Sequence, residues 1–247
     1  MKRLSPKLMQ ELKELRETRK SIDDFVSNYL INFERNAKLM HFVLKNPSTP
    51  KSIKNTAHQQ YLIALVSSLE TFLRDIFVYI NSVDQDFFFK KNNKIDLPNI
   101  DDISLAEFIS KSFNFQNLEK ISAAFQELWD EDFLKRICTS EISPCGLNGE
   151  IYQALSIAGI FPNWAEILKT IIENRHRAVH DANYRNTVSV KITQQAESLF
   201  LLIPQVGTHL IADKYNLPTM TLSMNNSDKF RYLFSIHDLL AEDWHVA

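Results

Sequence analysis

Glycine is scarce in this chain, with only four among 247 residues. At the average usage of about 7%, roughly seventeen would be expected. Hairpin turns often need the left-handed backbone conformations that glycine adopts most readily. The scarcity therefore argues against a hairpin-rich β protein and favours long helices. The chain is also 45% hydrophobic and has 17 Phe, so it can bury a large core.

Apolar residues recur at steps of three and four, which is typical of amphipathic helices. The pattern is strongest over residues 53–82. Further helices are predicted over 6–45, 104–113, 117–137, 164–180, 188–214 and 227–241. The 164–180 helix has Asn163 as its N-cap, the 227–241 helix has Ser227, and the 188–214 helix is expected to bend or break near Pro204 and Gly207.

Between the predicted helices lie segments with polar or helix-breaking residues. Loops are expected over 45–52, 84–102 and 139–150. Residues 219–224 alternate as in a short strand, although a loop is favoured there. We therefore predict an all-α helical bundle that forms one domain, 1–247. Its core covers about 6–82 and 163–214, with an insertion at about 84–150 and a C-terminal extension at about 215–247.

Charge is distributed unevenly, although the net charge is only −2. Residues 1–60 carry twelve Lys or Arg against six Asp or Glu, whereas residues 61–150 carry eight against fifteen. Solvated helix faces would explain this pattern, but an anionic partner would meet a local basic patch. The start has no signal peptide and the longest apolar run is too short to span a bilayer, so we expect a cytoplasmic protein without membrane association.

One arginine lies where the helix pattern calls for an apolar residue. On a helical wheel of residues 164–180, Arg175 falls at the centre of the apolar arc that runs from Trp164 to Val179. A buried guanidinium needs a partner, and Glu70, on the flank of the apolar stripe of the 53–82 helix, is a suitable one. Alternatively, the helix ends near Asn174 and Arg175 extends into water.

These residues resemble the signature of HEPN domains. That signature is an arginine followed by a polar residue, with a histidine four to six positions later at the end of an amphipathic helix. "RHRAVH", Arg175 to His180, fits with four intervening residues. The segment "YLIALVSSLETFLRDIF" (61–77) also looks like a helix of the HEPN-like ribonucleases of prokaryotic defence and toxin systems. Two other pairs, Arg35–His41 and Arg231–His237, also fall within the four-to-six range of the signature. The resemblance therefore depends on the position of Arg175–His180 at a helix end.

The resemblance implies a metal-independent ribonuclease in which the ribose 2′-hydroxyl attacks the adjacent phosphate. His180 would transfer protons, and Arg175 would stabilise the negative charge of the transition state. Glu70 would support Arg175, while His176 and Arg177 would bind flanking phosphates or play ordinary surface roles. His176 departs from the Asn or Asp of many members, and Ala182 from the tyrosine of a toxin branch, so the subfamily stays open.

A homodimer is expected, because five helical residues rotate Arg175 and His180 about 140° apart. Either the helix unwinds before "HDANY", or a second copy completes the site. RNA is the expected substrate, and an antitoxin or regulatory protein an expected partner. No cofactor or metal is expected, because the chain has no Gly-rich phosphate loop, no HExxH and no Cys/His quartet. The other histidines, His41, His58, His209, His237 and His245, are expected to be surface or satisfied residues.

A second hypothesis retains the HEPN-like fold but not RNA cleavage. In it, the chain is a non-catalytic HEPN-like module that binds a partner protein or a nucleotide. The negative net charge favours this module, and the intact Arg175 and His180 favour the enzyme.

Overall fold

The computed structural model describes residues 21–84, 117–146, 150–181, 184, 188–219, 221–224 and 228–240. The helices within these ranges are α1 (Ile22–Lys45), α2 (Lys51–Val83), α3 (Leu118–Trp129), α4 (Phe133–Thr139), α5 (Ile157–Ile160), α6 (Trp164–His180), α7 (Val190–Tyr215) and α8 (Ile236–Leu240). Three short strands are β1 (Pro144–Cys145), β2 (Thr221–Met224) and β3 (Asp228–Tyr232). The predictions for 6–20, 85–102 and 104–113 lie outside the described residues.

Helix α2 is the centre of the bundle, since α1, α6 and α7 all pack against it. Its apolar stripe is buried from Tyr61 to Ile80, which confirms the helix predicted over 53–82. Helix α1 begins at a capping box, in which the Ser21 hydroxyl accepts from the Asp24 N–H and the Asp24 carboxylate accepts from the Ser21 N–H. It ends at Lys45, and α2 begins directly after Pro50, as the break at 45–52 predicts.

Helix α7 continues through Pro204, so of the bend or break predicted near Pro204 and Gly207 the break is absent. Proline has no N–H to donate to the carbonyl four residues earlier, which belongs to Phe200. The Tyr29 hydroxyl of α1 donates to that carbonyl at 2.6 Å and so supplies the missing bond. Gly207 lets α4 approach closely, because a Cβ at this position would lie 3.0 Å from Ile137 Cδ1.

The helix predicted over 227–241 is wrong for most of its length. Residues 228–232 form β3, which pairs antiparallel with β2 and parallel with β1 in the order β1-β3-β2. Only Ile236–Leu240 is helical, and its cap within the described residues is Ser235, whose hydroxyl accepts from the Asp238 N–H. The loop favoured at 219–224 is likewise wrong, because β2 lies there.

Polar side chains on one face of α7 explain why this segment is extended. The Gln205 amide donates to the Phe234 carbonyl at 3.1 Å and accepts from the Phe234 N–H at 2.8 Å. One turn later His209 contacts the Tyr232 carbonyl, and a further turn later Asp213 pairs with Arg231. The spacing of four places Gln205, His209 and Asp213 on one face of α7. This face binds the backbone of Tyr232 and Phe234 and the side chain of Arg231.

The single helix predicted over 117–137 is two helices. Asp130 ends α3 in a left-handed conformation (φ 57°), and Asp132 begins α4 by accepting from the Lys135 N–H at 2.6 Å. The two helices remain in contact, because the rings of Phe125 and Phe133 stack with centroids 4.0 Å apart. The loop predicted at 139–150 includes β1, since its edge pairs with β3.

Removing the Tyr29 hydroxyl should destabilise the fold in a way that depends on Pro204. Tyr29→Phe leaves the buried Phe200 carbonyl without its donor, so the free energy of unfolding should fall by about 1–3 kcal/mol. Pro204→Ala returns an N–H that can donate to Phe200, so Tyr29→Phe should cost less in that background. Urea denaturation of the four proteins measures both costs. Equal costs in the two backgrounds would contradict this role of Tyr29.

Acid should destabilise the fold through His209. Burial lowers the pKa of His209 to about 4, below the ordinary value of 6.5. The unfolded chain therefore takes up the proton first as pH falls, and stability is lost between about pH 6.5 and 4, by up to roughly 3 kcal/mol. Burial also lowers the pKa of His58, which acts in the same direction.

The measurement is the melting temperature at pH 7 and pH 5. His209→Gln should reduce the difference between the two values, and His58→Gln, the matched control, should reduce it less. A difference unchanged by His209→Gln would exclude His209 as the main acid-sensitive group.

Candidate active site

Helix α6 carries the predicted site without a break from Trp164 to His180. Asn163 is at the N-cap, as predicted, although its side chain makes no capping bond. The helix ends at Asp181, whose N–H donates to the Arg177 carbonyl at 2.9 Å. The alternative in which the helix ends near Asn174 is therefore wrong, as is the unwinding before His180.

Arg175 is drawn inward against α2. Its Nη2 lies 3.4 Å from Glu70 Oε2, and both side chains are only 11% exposed. The contact expected between these two residues is thus present, at a distance that is long for a hydrogen bond and normal for an ion pair. Since removing a charge from water is costly, each group stabilises the other where it lies. The ion pair gives the guanidinium a defined position beside the last turns of α6.

The solvent-facing side of the last turns carries His176, Arg177 and His180, all of which are exposed. The rings of His176 and His180 lie one turn apart, with centroids 4.6 Å apart and planes inclined at 52°. Five residues of regular helix turn Arg175 and His180 about 140° apart. One chain therefore places the imidazoles at the surface and the Arg175 guanidinium inside.

The apolar arc of α6 is buried only in its first part. Ile167, Leu168, Ile171 and Ile172 are buried, whereas Val179 is 49% exposed. The wheel placed Val179 with the buried residues, but no described element covers it there. An apolar side chain thus lies in solvent next to His180.

A tyrosine not singled out from the sequence lies beside the site. The Tyr184 hydroxyl donates to Asn174 Oδ1, while the Asn174 amide donates to the Thr170 carbonyl at 2.7 Å. The Tyr184 N–H also donates to the Asp181 carbonyl at 3.0 Å, which forms a turn after α6. Tyr184 therefore contacts Asn174, the neighbour of Arg175. Its place four residues after His180 gave no signal, because the contact depends on the turn.

Two histidines expected to be surface or satisfied residues lie together elsewhere. His41 contacts Glu197 at 3.0 Å and His58 contacts Thr193 at 2.5 Å, and all four line one cavity. Their positions are far apart along the chain, so no local pattern could have brought them together.

The described ranges contain two cysteines and no cluster of potential metal ligands. No group of three or more His, Cys, Asp or Glu there is placed to hold a metal ion. Cys138 and Cys145 are buried and not joined to each other, and burial raises the pKa of Cys138 to about 12, so its thiol stays protonated. None of the described helices is both long and apolar enough to cross a membrane.

Comparison with known proteins places the chain in a family. The model of the RiboL-PSP-HEPN family matches residues 30–201, an interval that runs from α1 into α7 and contains Glu70, Arg175 and His180. Comparisons with curated proteins and with solved structures gave no match. The family match covers more than half of the chain and agrees with its helical architecture. The chain therefore belongs to the RiboL-PSP-HEPN family of HEPN domains.

Proposed function

We propose that this protein is a metal-independent endoribonuclease that leaves a 2′,3′-cyclic phosphate, acting as a toxin or an anti-phage defence effector. A HEPN domain suggests a nuclease-like or RNA-related role. The observation that carries the proposal is Arg175, a cation paired with Glu70 on the apolar face of a helix that ends at His180. Such a cation costs stability to bury, and a function explains its presence there.

The proposed reaction is an internal transfer within RNA. A base removes the proton of the ribose 2′-hydroxyl, whose oxygen attacks the adjacent phosphorus. The bond to the 5′-oxygen of the next nucleotide breaks, and an acid returns a proton to that oxygen. An imidazole serves either step near neutral pH, which is the role proposed for His180. Arg175 would stabilise the negative charge of the transition state, and His176 and Arg177 would bind flanking phosphates.

A homodimer with a composite site is part of the proposal. Because α6 is regular through His180, one chain directs Arg175 and His180 about 140° apart. Two copies related by a two-fold axis would bring the His180 of one subunit toward the Arg175 of the other. The half-exposed Val179 beside His180 supports a contact at this surface, since association would remove it from water.

The second candidate function is a non-catalytic module of the same fold that binds a partner protein or a nucleotide. The net charge of −2 favours it, and so does the Glu70 carboxylate that already neutralises Arg175. The two functions differ in whether phosphodiester bonds break.

Cleavage of mixed RNAs in EDTA tests the enzyme. We expect wild-type protein to produce cyclic phosphate ends. Arg175→Ala should reduce the rate by about 10²–10³-fold through lost electrostatic stabilisation, and His180→Ala by about 10²–10⁴-fold through lost proton transfer. Arg35→Ala is the matched control and should keep full activity, because Arg35 is an exposed arginine of α1 that also has a histidine, His41, a few positions later. Equal activity of all four proteins, or no cleavage by any, would favour the module.

Mixing two inactive variants tests the composite site. Arg175→Ala supplies an intact His180, and His180→Ala supplies an intact Arg175, so a mixed dimer has one of each across the axis. We expect the mixture, after subunit exchange, to recover part of the wild-type activity that neither variant has alone. Light scattering should give the mass of two chains. An active wild-type protein that is strictly monomeric, or a mixture that stays inactive after exchange, would overturn the composite site.

A further inference from the structure

A cavity of about 240 Å³ lies between the C-terminal half of α1, the N-terminal half of α2 and the first turns of α7. It is separate from the Arg175 site. Tyr61, which lines the cavity, and Glu70 are nine residues apart on α2, so they project from opposite faces of that helix, about 180° apart. The family match and the proposed ribonuclease leave this cavity without a role.

Glu197 is the polar centre of this cavity. Its side chain is 7% exposed, and its Oε1 accepts from the Tyr61 hydroxyl at 2.5 Å and contacts His41 Nε2 at 3.0 Å. The contact of Oε2 within the described part of the chain is longer, 3.3 Å, and goes to the same His41 nitrogen. Burial raises the pKa of Tyr61, and the contact with Glu197 raises it further, so the phenol remains a donor. A carboxylate accepts about four hydrogen bonds, so Oε2 keeps capacity for an N–H donor from a ligand.

Both histidines donate through Nε2. Since a carboxylate can only accept, His41 Nε2 carries the proton of its contact with Glu197. The Thr193 hydroxyl donates to the Ser189 carbonyl at 3.1 Å, so it accepts from His58 Nε2. Burial lowers the pKa of His58, which keeps its ring neutral near pH 7. The cavity therefore presents the Glu197 carboxylate as its fixed acceptor, and the one lysine among the described residues of its lining, Lys45, is exposed.

The remaining lining admits a small ligand. Met40, Leu44 and Val190 supply apolar surface, and the exposed Gln194 and Lys45 supply an amide and an ammonium group at the rim. The volume is below the roughly 300 Å³ at which sites for drug-sized molecules begin. Carboxylates accept from the exocyclic amine of cytosine, and glutamine amides pair with the amine and ring nitrogen of adenine. A buried carboxylate would oppose a phosphate at the same point.

We propose that this cavity binds a nucleobase with an exocyclic amine, either in a free nucleoside or in an RNA strand. Glu197 accepts from the amine, Gln194 contacts the base edge, and the apolar side chains cover its faces. The proposal does not depend on ribonuclease activity, because the cavity and the Arg175 site lie on opposite sides of α2.

Calorimetric titration of the full chain with matched nucleosides tests the proposal. Adenosine should bind at least about tenfold more tightly than inosine, and cytidine than uridine, because only the first of each pair donates an amine hydrogen to Glu197. Arg175→Ala should leave these affinities unchanged. A short single-stranded oligoadenylate shows whether the bound base belongs to an RNA strand or to a free nucleoside. If it binds more tightly than adenosine through Glu197, the ligand is a base in RNA, and if only adenosine binds, the ligand is the free nucleoside.

Two variants assign the binding to the cavity. Glu197→Gln has nearly the same shape but donates where the carboxylate accepts, so it should abolish both preferences. Gln194→Ala lies at the exposed rim, where folding is not at risk, and should weaken adenosine binding. Gln195→Ala, its neighbour outside the lining, is the matched control and should bind as wild type. Melting temperatures verify that each variant is folded.

Three results would overturn the proposal. The first is no binding of the four nucleosides or the oligomer at millimolar concentration. The second is equal affinity within each nucleoside pair, and the third is a preference that persists in Glu197→Gln.

Discussion

The Arg175 guanidinium and the Glu70 carboxylate meet between α6 and α2, where both are almost removed from water. Apolar packing is not directional, so the apolar faces of two helices could pack in several relative positions along their axes. A buried charge tolerates only the register that brings it to its counter-ion, since the unpaired alternative costs several kcal/mol. The ion pair thus fixes the position of α6 on α2, and this position leaves the last turns of α6, with the imidazoles of His176 and His180, at the surface. The proposed chemistry depends on that placement.

Helix α7 makes a related use of polar groups inside an apolar helix. Near its N-terminus, Thr193 and Glu197 hold the two histidines of the cavity. Near its C-terminus, Gln205, His209 and Asp213 hold the extended segment that follows β2. A buried polar group must find its partner, so each of these residues specifies a neighbour that hydrophobic burial alone would leave undefined. One helix thereby organises the cavity at one end and the small sheet at the other.

Most of the helical framework could be predicted from the sequence, because a long apolar stripe at helical spacing indicates a helix with one buried face. The stripe of residues 53–82 and the proline-rich break at 45–52 correspond to α2 and its start. Short elements were predicted poorly. Asp130 ends α3 through a left-handed backbone that the apolar pattern continues across. Residues 228–232 have an amphipathic pattern, but the polar face of α7 and the edges of β1 and β2 draw them into a strand.

By itself, the sequence determined the helical class and the place of Arg175 on the apolar arc of its helix, because both follow from local periodicity. Only the tertiary structure decided that the helix continues to His180 and that Arg175 lies inward against Glu70, the partner suggested from the sequence. It also decided that Val179 is left in water and that His41, His58 and Glu197 share a cavity. The physical reason is distance along the chain. Helical periodicity relates residues within a few turns, whereas Glu70 and Arg175, or His41 and Glu197, are more than a hundred residues apart and meet only when whole helices pack.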